Sequence, residues 1–255
     1  KDDSLPVRDL DEEEDEEWES SIARGEIKPI ERQNEPTKES NNTDLTKIGF
    51  EQSELGGAKQ RFKNNIEAIK LVNRLINSQK EATDDERKVL AKYVGWGGLA
   101  QAFDEYNVAW KSEYEELKDV LSVEEYAAAK GSVLNAHYTS PTVIKAIYET
   151  VGNMGFQTGN ILEPSMGVGN FLGLLPESMQ NSRLYGVELD SITGRIAQKL
   201  YPKADITVAG FETTDRRDFF DLAVGNVPFG NYKVNDKAYN KLNFSIHDYF
   251  FAKTL

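Results

Sequence analysis

The sequence predicts an α/β fold: a doubly wound parallel sheet preceded by an N-terminal helical extension. Three observations lead to it. From about residue 136, short apolar runs alternate with helical stretches, a pattern that specifies parallel strands joined by right-handed crossovers. The first apolar run ends in a glycine turn, Gly167-Val168-Gly169, and the second in an acid, Glu188, about twenty residues further on. Between about 56 and 130, by contrast, apolar residues recur at three- and four-residue spacing, which is a helical period.

Taken in order, residues 1–45 read as an acidic, flexible tail. The first twenty residues hold eleven acids and two bases, so they carry −9 of the chain's −13. Asn, Glu, Thr and Lys follow, with few apolar groups to offset chain entropy. Two other uses stay open for the tail: an acidic arm that mimics DNA, or a docking segment anchored by Trp18 and Ile22. Residues 46–134 form the helical region. Ala58, Phe62, Ile66, Ile69, Leu71, Val72, Leu75 and Ile76 give one apolar stripe. Thr83-Asp84-Asp85-Glu86 is a capping box before Val89, Leu90 and Tyr93, and Ser122-Val123-Glu124-Glu125 opens a short helix over 123–130. Between them, Gly95-Trp96-Gly97-Gly98-Leu99 is either a tight interhelical turn packed on Trp96 or a place where backbone meets a ligand or nucleic acid.

Residues 135–255 form the α/β part. Thr139-Ser140-Pro141 starts a helix to about 151, with proline at its first position. Strands are expected at 160–163, 184–188, 205–208 and 220–225, and helices at 170–176, 191–200 and 246–255. Tyr249, Phe250 and Phe251 of the last helix read as core, and His137 and His247 as packing or capping residues. The chain starts at Lys1 without a methionine and stops inside a helical stretch, so it reads as a piece of something longer.

Composition excludes several classes. With no cysteine there are no disulfides, thiolate nucleophiles, Cys-based zinc sites or iron–sulfur clusters. The two histidines lie too far apart for a local metal motif, so no metal is expected. No apolar run approaches the ~20 residues of a membrane span, and the acidic start is no signal peptide. A soluble, cytoplasmic protein is the expectation. A mildly acidic body excludes a wholly basic nucleic-acid binder but not a local basic groove.

Ligands of such sheets sit beyond the carboxyl ends of the strands. After strand one come Glu163, Pro164, Gly167, Gly169 and Phe171, with no Lys or Arg from 161 to 182. An acid ahead of the turn suits a ligand with a cationic end better than a pyrophosphate. Glu188 is placed to bind ribose hydroxyls, and Phe211 can lie against an adenine face. The end of strand four gives the sharpest signal: Asn226, Val227, Pro228 and Phe229. An Asn carboxamide and the following main-chain carbonyl can both accept protons from one planar amino group, and Phe229 can stack the ring that carries it.

Here a resemblance enters. Residues 161–171, 185–190 and 226–229 resemble the donor-binding and catalytic motifs of S-adenosylmethionine-dependent amino-methyltransferases, especially the adenine-N6 DNA class. That pattern is an acid-Pro-x-x-Gly-x-Gly loop, an acid ending strand two, and Asn-Pro-Pro-Tyr/Phe. Asn135-Ala136-His137-Tyr138-Thr139-Ser140-Pro141 resembles the motif that closes over the methionine moiety, which implicates Tyr138 and Thr139. Lys92-Tyr93-Val94-Gly95-Trp96-Gly97-Gly98 and residues 225–230 extend the likeness to the methylase part of large methylase–helicase polypeptides of conjugative elements and phages, over about 45–255. The sequence departs from the pattern at Val227, which stands for the first proline, and at Glu212, which only loosely replaces an Asp after strand three. The resemblance implies S-adenosylmethionine as cofactor, DNA as partner, and further strands and a helicase region elsewhere in the parent. The available strand order is 3-2-1-4, with strand four an open apolar edge and the piece alone a poor catalyst. Glu163 and the glycine loop would hold the donor's amino-acid end, Glu188 its ribose and Phe211 its adenine. Asn226 and the Val227 carbonyl would orient the target NH2, and Phe229 would stack a flipped base. Two alternatives stay open: an RNA or protein-glutamine amino methyltransferase, and an inert cofactor-binding scaffold of a DNA-processing protein.

Overall fold

The computed structural model describes residues 41–50, 55–134 and 138–255. The proposed uses of the acidic tail, with Trp18 and Ile22, and the reading of His137 lie outside the described residues. The first long helix, α1 (Ala58–Asn77), forms where the apolar stripe is expected and buries Phe62, Ile66, Ile69, Leu71, Val72 and Leu75. Helix α2 (Asp84–Leu90) starts at the complete Thr83/Glu86 capping box. Helices α3 (Lys111–Val120) and α4 (Val123–Ser132) follow, the latter capped reciprocally by Ser122 and Glu125. These caps satisfy backbone N–H groups that a helix start otherwise leaves orphaned.

The α/β part begins with α5 (Pro141–Asn153), whose Ser140 hydroxyl accepts from the Val143 N–H at 3.4 Å. Strand β1 (Asn160–Glu163) leads to the one-turn helix α6 (Asn170–Gly173). Strand β2 (Arg183–Glu188) leads to α7 (Ser191–Leu200), and β3 (Asp205–Val208) to a 3-10 turn, Phe211–Thr213. The two-residue strand β4 (Leu222–Ala223) and the last helix, α8 (Ile246–Thr254), complete the chain. All pairings are parallel, in the order β3-β2-β1-β4. Helix α6 ends before 176 because Pro176 disfavours helical backbone at Leu175. Strand β4 touches β1 through two residue pairs, and among the described residues no strand lies on its outer side.

Alternation along the strands feeds two apolar layers. Ile161 of β1 joins the main core with α1, α2, α5 and α7, whereas Leu162 and Val187 pack on the opposite face with Phe211, Ile246, Tyr249 and Phe250. Phe251 is 57% exposed, contrary to expectation. Tyr249 and Phe250 already fill the face of α8 that meets the sheet, and the next residue turns ~100° away.

The helical region and the α/β part share the main core, and polar ties reinforce the seam. Arg195 of α7 pairs with Glu125 and donates to the Asn73 carboxamide at 3.4 Å, and Lys199 donates to the Lys80 carbonyl at 2.8 Å. Thr43 and Leu45 also join the α/β part. The Thr43 N–H and hydroxyl donate to the Leu200 carbonyl at 2.9 and 2.6 Å, and Leu45 is buried against Gly173.

Candidate active site

The carboxyl ends of β1, β2 and β4 converge at one rim of the sheet. Glu163, the last residue of β1, is 3% exposed, and its Oε2 has no hydrogen-bond partner among the described residues. Burial first, and then the charge of Glu188, pushes its carboxyl well above the usual carboxylate range, against one opposing bond from the Leu172 N–H. A buried oxygen without a donor is costly unless a ligand supplies one.

The turn that follows folds back onto β2. The Met166 N–H donates to the Val187 carbonyl at 3.0 Å, and the Gly169 N–H to Met166 at 2.9 Å. Gly167 and Gly169 take φ of +55° and +81°, a region open to glycine at no steric cost. The Gly167 N–H donates to Glu188 Oε2 and the Asp190 N–H to Oε1, both at 2.8 Å. Each oxygen keeps a further lone pair for a hydroxyl donor. Burial pushes the Glu188 carboxyl up to about 7; the backbone donors act against that rise and the nearby Asp190 charge adds to it.

Tyr138 is wedged between two glycines. A Cβ on Gly167 would stand 2.8 Å from its ring, and one on Gly95, at φ +64°, would stand 3.1 Å from it. The Gly95 turn therefore supports the Gly167 loop through one aromatic ring. Trp96 itself is a core residue, 2% exposed, with tilted or edge contacts to Phe62, Tyr93 and Phe103, which favours the packing reading of that turn. Asn65 fastens the turn from α1, donating to the Gly95 carbonyl at 2.6 Å and accepting from the Val94 N–H at 2.9 Å. Burial and the negative charge of Asp190 and Glu188 keep the phenols of Tyr93 and Tyr138 protonated, while the Thr193 hydroxyl acts against that rise. Sequence reasoning did not place Tyr93 or Thr193 at the site. The usable signal was local: Asp190 caps α7 by accepting from the Thr193 N–H and hydroxyl at 2.8 and 2.6 Å, an Asp-x-x-Thr pattern.

From β4, Gly225 comes up against the donor loop: a Cβ there would stand 3.3 Å from Glu163 Cγ and 3.6 Å from Pro164 Cδ. The next residue is Asn226, which is exposed; Val227 and Pro228 are half-buried, and Phe229 is 63% exposed. The Phe229 ring lies 6.2 Å from His247, whose Nε2 is 3.1 Å from the Ser245 hydroxyl at the start of α8. Glu163, Pro164, Gly167, Gly169, Glu188, Tyr138 and the 226–229 loop thus share the rim, with Thr139 half-buried just before the α5 cap.

One expected ligand contact, Phe171, is corrected, and Phe211 is seated against the last helix. Phe171 is buried in the main core, its ring 6.1 Å from Tyr148 and nearly edge-on. It is the apolar residue that anchors the short helix α6. Phe211 is 6% exposed and stacked on Phe250 at 5.0 Å, because α8 covers the sheet face where the β3–β4 connection supplies no helix. A cavity of about 320 Å³ on that face is lined by Phe211 itself with Tyr185, Arg216, Phe220 and Tyr239, and by no residue of the Gly167 loop. Among the described residues no cluster of His, Asp and Glu is placed to hold a metal ion, and no helix is long and apolar enough to cross a membrane.

Comparisons with known proteins bear on this rim. No family model matches the chain. The chain is 30% identical over 201 residues to defense against restriction protein B of Escherichia phage P1, covering 76% of this chain and 7% of that protein. It is 35% identical over 92 residues to the type II methyltransferase M.CvrRI of Paramecium bursaria Chlorella virus XZ-6E, covering 36% of this chain and 24% of that protein. The chain has a parallel α/β core with the strand order β3-β2-β1-β4. It spans only a small part of either relative. A crystal structure from Listeria monocytogenes, assigned to the class I S-adenosylmethionine-dependent methyltransferases, superimposes with a TM-score of 0.38 at 16% identity, over 74% of this chain and 68% of that one. That likeness is too loose to carry an argument. The unpartnered Glu163 Oε2 fits a group with a cationic, hydrogen-bond-donating end.

Proposed function

We propose that this chain is the donor-binding and catalytic part of an S-adenosylmethionine-dependent methyltransferase that modifies the exocyclic amino group of adenine in DNA, within a larger methylase–helicase polypeptide of a mobile element. The observation that carries the reading is the meeting of Gly225 with Glu163 and Pro164, which sets Asn226 one residue from the donor loop. The methyltransferase relative and the phage relative support it.

Bound S-adenosylmethionine supplies an electrophilic methyl group. The chain's own residues do the rest. Glu163, whose Oε2 lacks a donor, would accept from the donor's ammonium, and Glu188 would accept from its ribose hydroxyls while keeping the Gly167 and Asp190 N–H bonds. The Tyr138 ring buttresses the glycine loop. The Asn226 carboxamide oxygen and the Val227 carbonyl accept from the adenine NH2 and direct its lone pair toward the donor. Phe229, exposed, stacks on a base taken out of the duplex and offsets part of its unstacking energy. Neither acceptor is a base strong enough to keep the proton that the amino nitrogen releases, so it passes to water at the open mouth of the loop.

Label from methyl-tritiated S-adenosylmethionine, followed by mass spectrometry of the nucleosides, tests the reading. N6-methyldeoxyadenosine, lost in Asn226→Ala, is expected. Label found only in RNA or in protein glutamine would overturn the acceptor.

A further inference from the structure

The loop between Phe229 and α8 is built to display lysines. Residues 226–245 contain Lys233, Lys237 and Lys241 and one acid, Asp236, in a chain of net charge −13. Asp236 is turned inward. It is buried and accepts from Lys253 Nζ, the Tyr249 hydroxyl and the Ala238 N–H at 2.8, 2.8 and 3.0 Å. Burial alone would raise its carboxyl; the bonds from Lys253, Tyr249 and Ala238 outweigh it and hold the carboxyl below its ordinary value. The one acid of the loop is therefore ionised and neutralised from within by α8, and the loop's outer charge is that of its lysines.

The same knot fixes the loop's shape. The Asp236 N–H donates to Asn240 Oδ1 at 3.0 Å, Asn240 donates to Asn235 at 2.8 Å, and the Tyr239 and Asn240 N–H groups return to the Asp236 carbonyl at 3.0 and 2.8 Å. Val227, Val234, Tyr239 and Phe244 pack on the apolar layer of Ile246 and Tyr249, so the loop and the catalytic segment share one support. Lys233, Lys237 and Lys241 are all exposed. Lys233 reaches the Asn243 carboxamide, which spans the loop's base. The exposed Phe229 ring stands beside His247 at the start of the helix that carries this knot.

We infer that Lys233, Lys237 and Lys241 form a contact surface for the phosphate backbone of duplex DNA beside the Asn226–Phe229 loop. The inference rests on the proposed DNA reading and adds the surface that delivers the strand. Charge complementarity decides the occupant: a rigid cationic loop on an otherwise acidic chain fits a polyanion, and lysines read its charge without reading its sequence. A flipped base is held by Phe229 only while its flanking phosphates are held nearby.

The test is binding of the chain, with S-adenosylmethionine present, to a labelled duplex over a range of salt concentrations. Lys233→Gln/Lys237→Gln/Lys241→Gln is compared with Lys63→Gln/Lys70→Gln, an exposed pair on α1. The loop variant is expected to bind at least ~10-fold more weakly, and its dependence of log affinity on log salt to fall by about 2–3, near 0.9 per lost phosphate contact. Cofactor affinity should stay unchanged in both variants, and the α1 pair should behave as the native chain. Equal salt slopes for the native chain and the loop variant would overturn the surface while leaving the DNA reading intact. A native chain that holds cofactor but binds no duplex would overturn the DNA reading and the surface with it.

Discussion

Glu163 and Glu188 set the pH behaviour of the rim. Both carboxyls hold their protons above the ordinary range, Glu188 up to about 7, because burial outweighs the backbone donors around them. The folded state therefore binds more protons than the unfolded chain between the ordinary carboxylate pKa and about 7, and stability falls as pH rises through that window. Thermal melting of the ligand-free chain should drop by a few degrees from pH 5.5 to 7.5, and Glu163→Gln/Glu188→Gln should flatten the drop. Cofactor affinity should run the other way, rising with pH, because the ionised Glu188 is the better acceptor for ribose hydroxyls. At the catalytic loop the expectation is different. Asn226→Ala should lower kcat by about 10²–10³-fold, the range for losing one positioned polar group, with donor affinity within about two-fold, as read by calorimetry beside single-turnover methylation.

Among the elements, the Gly95–Gly98 turn matters most. It holds Tyr138 against Gly167 and thereby makes the helical region part of the support of that loop. Gly95→Ala should cost ~1–2 kcal/mol from the left-handed backbone alone and should also weaken cofactor binding by pressing on the Tyr138 ring. In a Tyr138→Ala background the stability cost should remain and the effect on binding should vanish. Denaturant melts and titrations of the four chains check this. Trp96→Ala should cost ~3–5 kcal/mol, as for other buried aromatics. Most elements were legible in the sequence because their causes are local: the Thr83/Glu86 and Ser122/Glu125 boxes, Pro141 at a helix start, and glycines where positive φ was needed. Less legible were lengths that depend on partners. Strand β4 shrank to Leu222–Ala223 because, among the described residues, only β1 pairs with it.

For the molecule as a whole, the described residues form one unit around a core shared by helices and sheet. The strand order and the grouping of Glu163, Gly167, Glu188 and Asn226 followed from the α/β alternation, since topology places every strand's carboxyl end at one rim. The burial of Phe171 did not follow. A buried aromatic and a ligand-facing one look alike in sequence, and only the seat beside Tyr148 shows which Phe171 is. Tyr93 and Thr193 meet at Tyr138 from elements far apart in the chain, and of these contacts only the Asp190–Thr193 cap is written locally. The central claim is that this rim binds S-adenosylmethionine, and calorimetric titration of the native chain and of Glu188→Ala tests it most directly. One cofactor should bind per native chain, with affinity at least ~10-fold weaker in the variant, the scale of charged hydrogen bonds lost. A folded native chain that binds no cofactor, or a Glu188→Ala chain that binds it equally well, would contradict the claim.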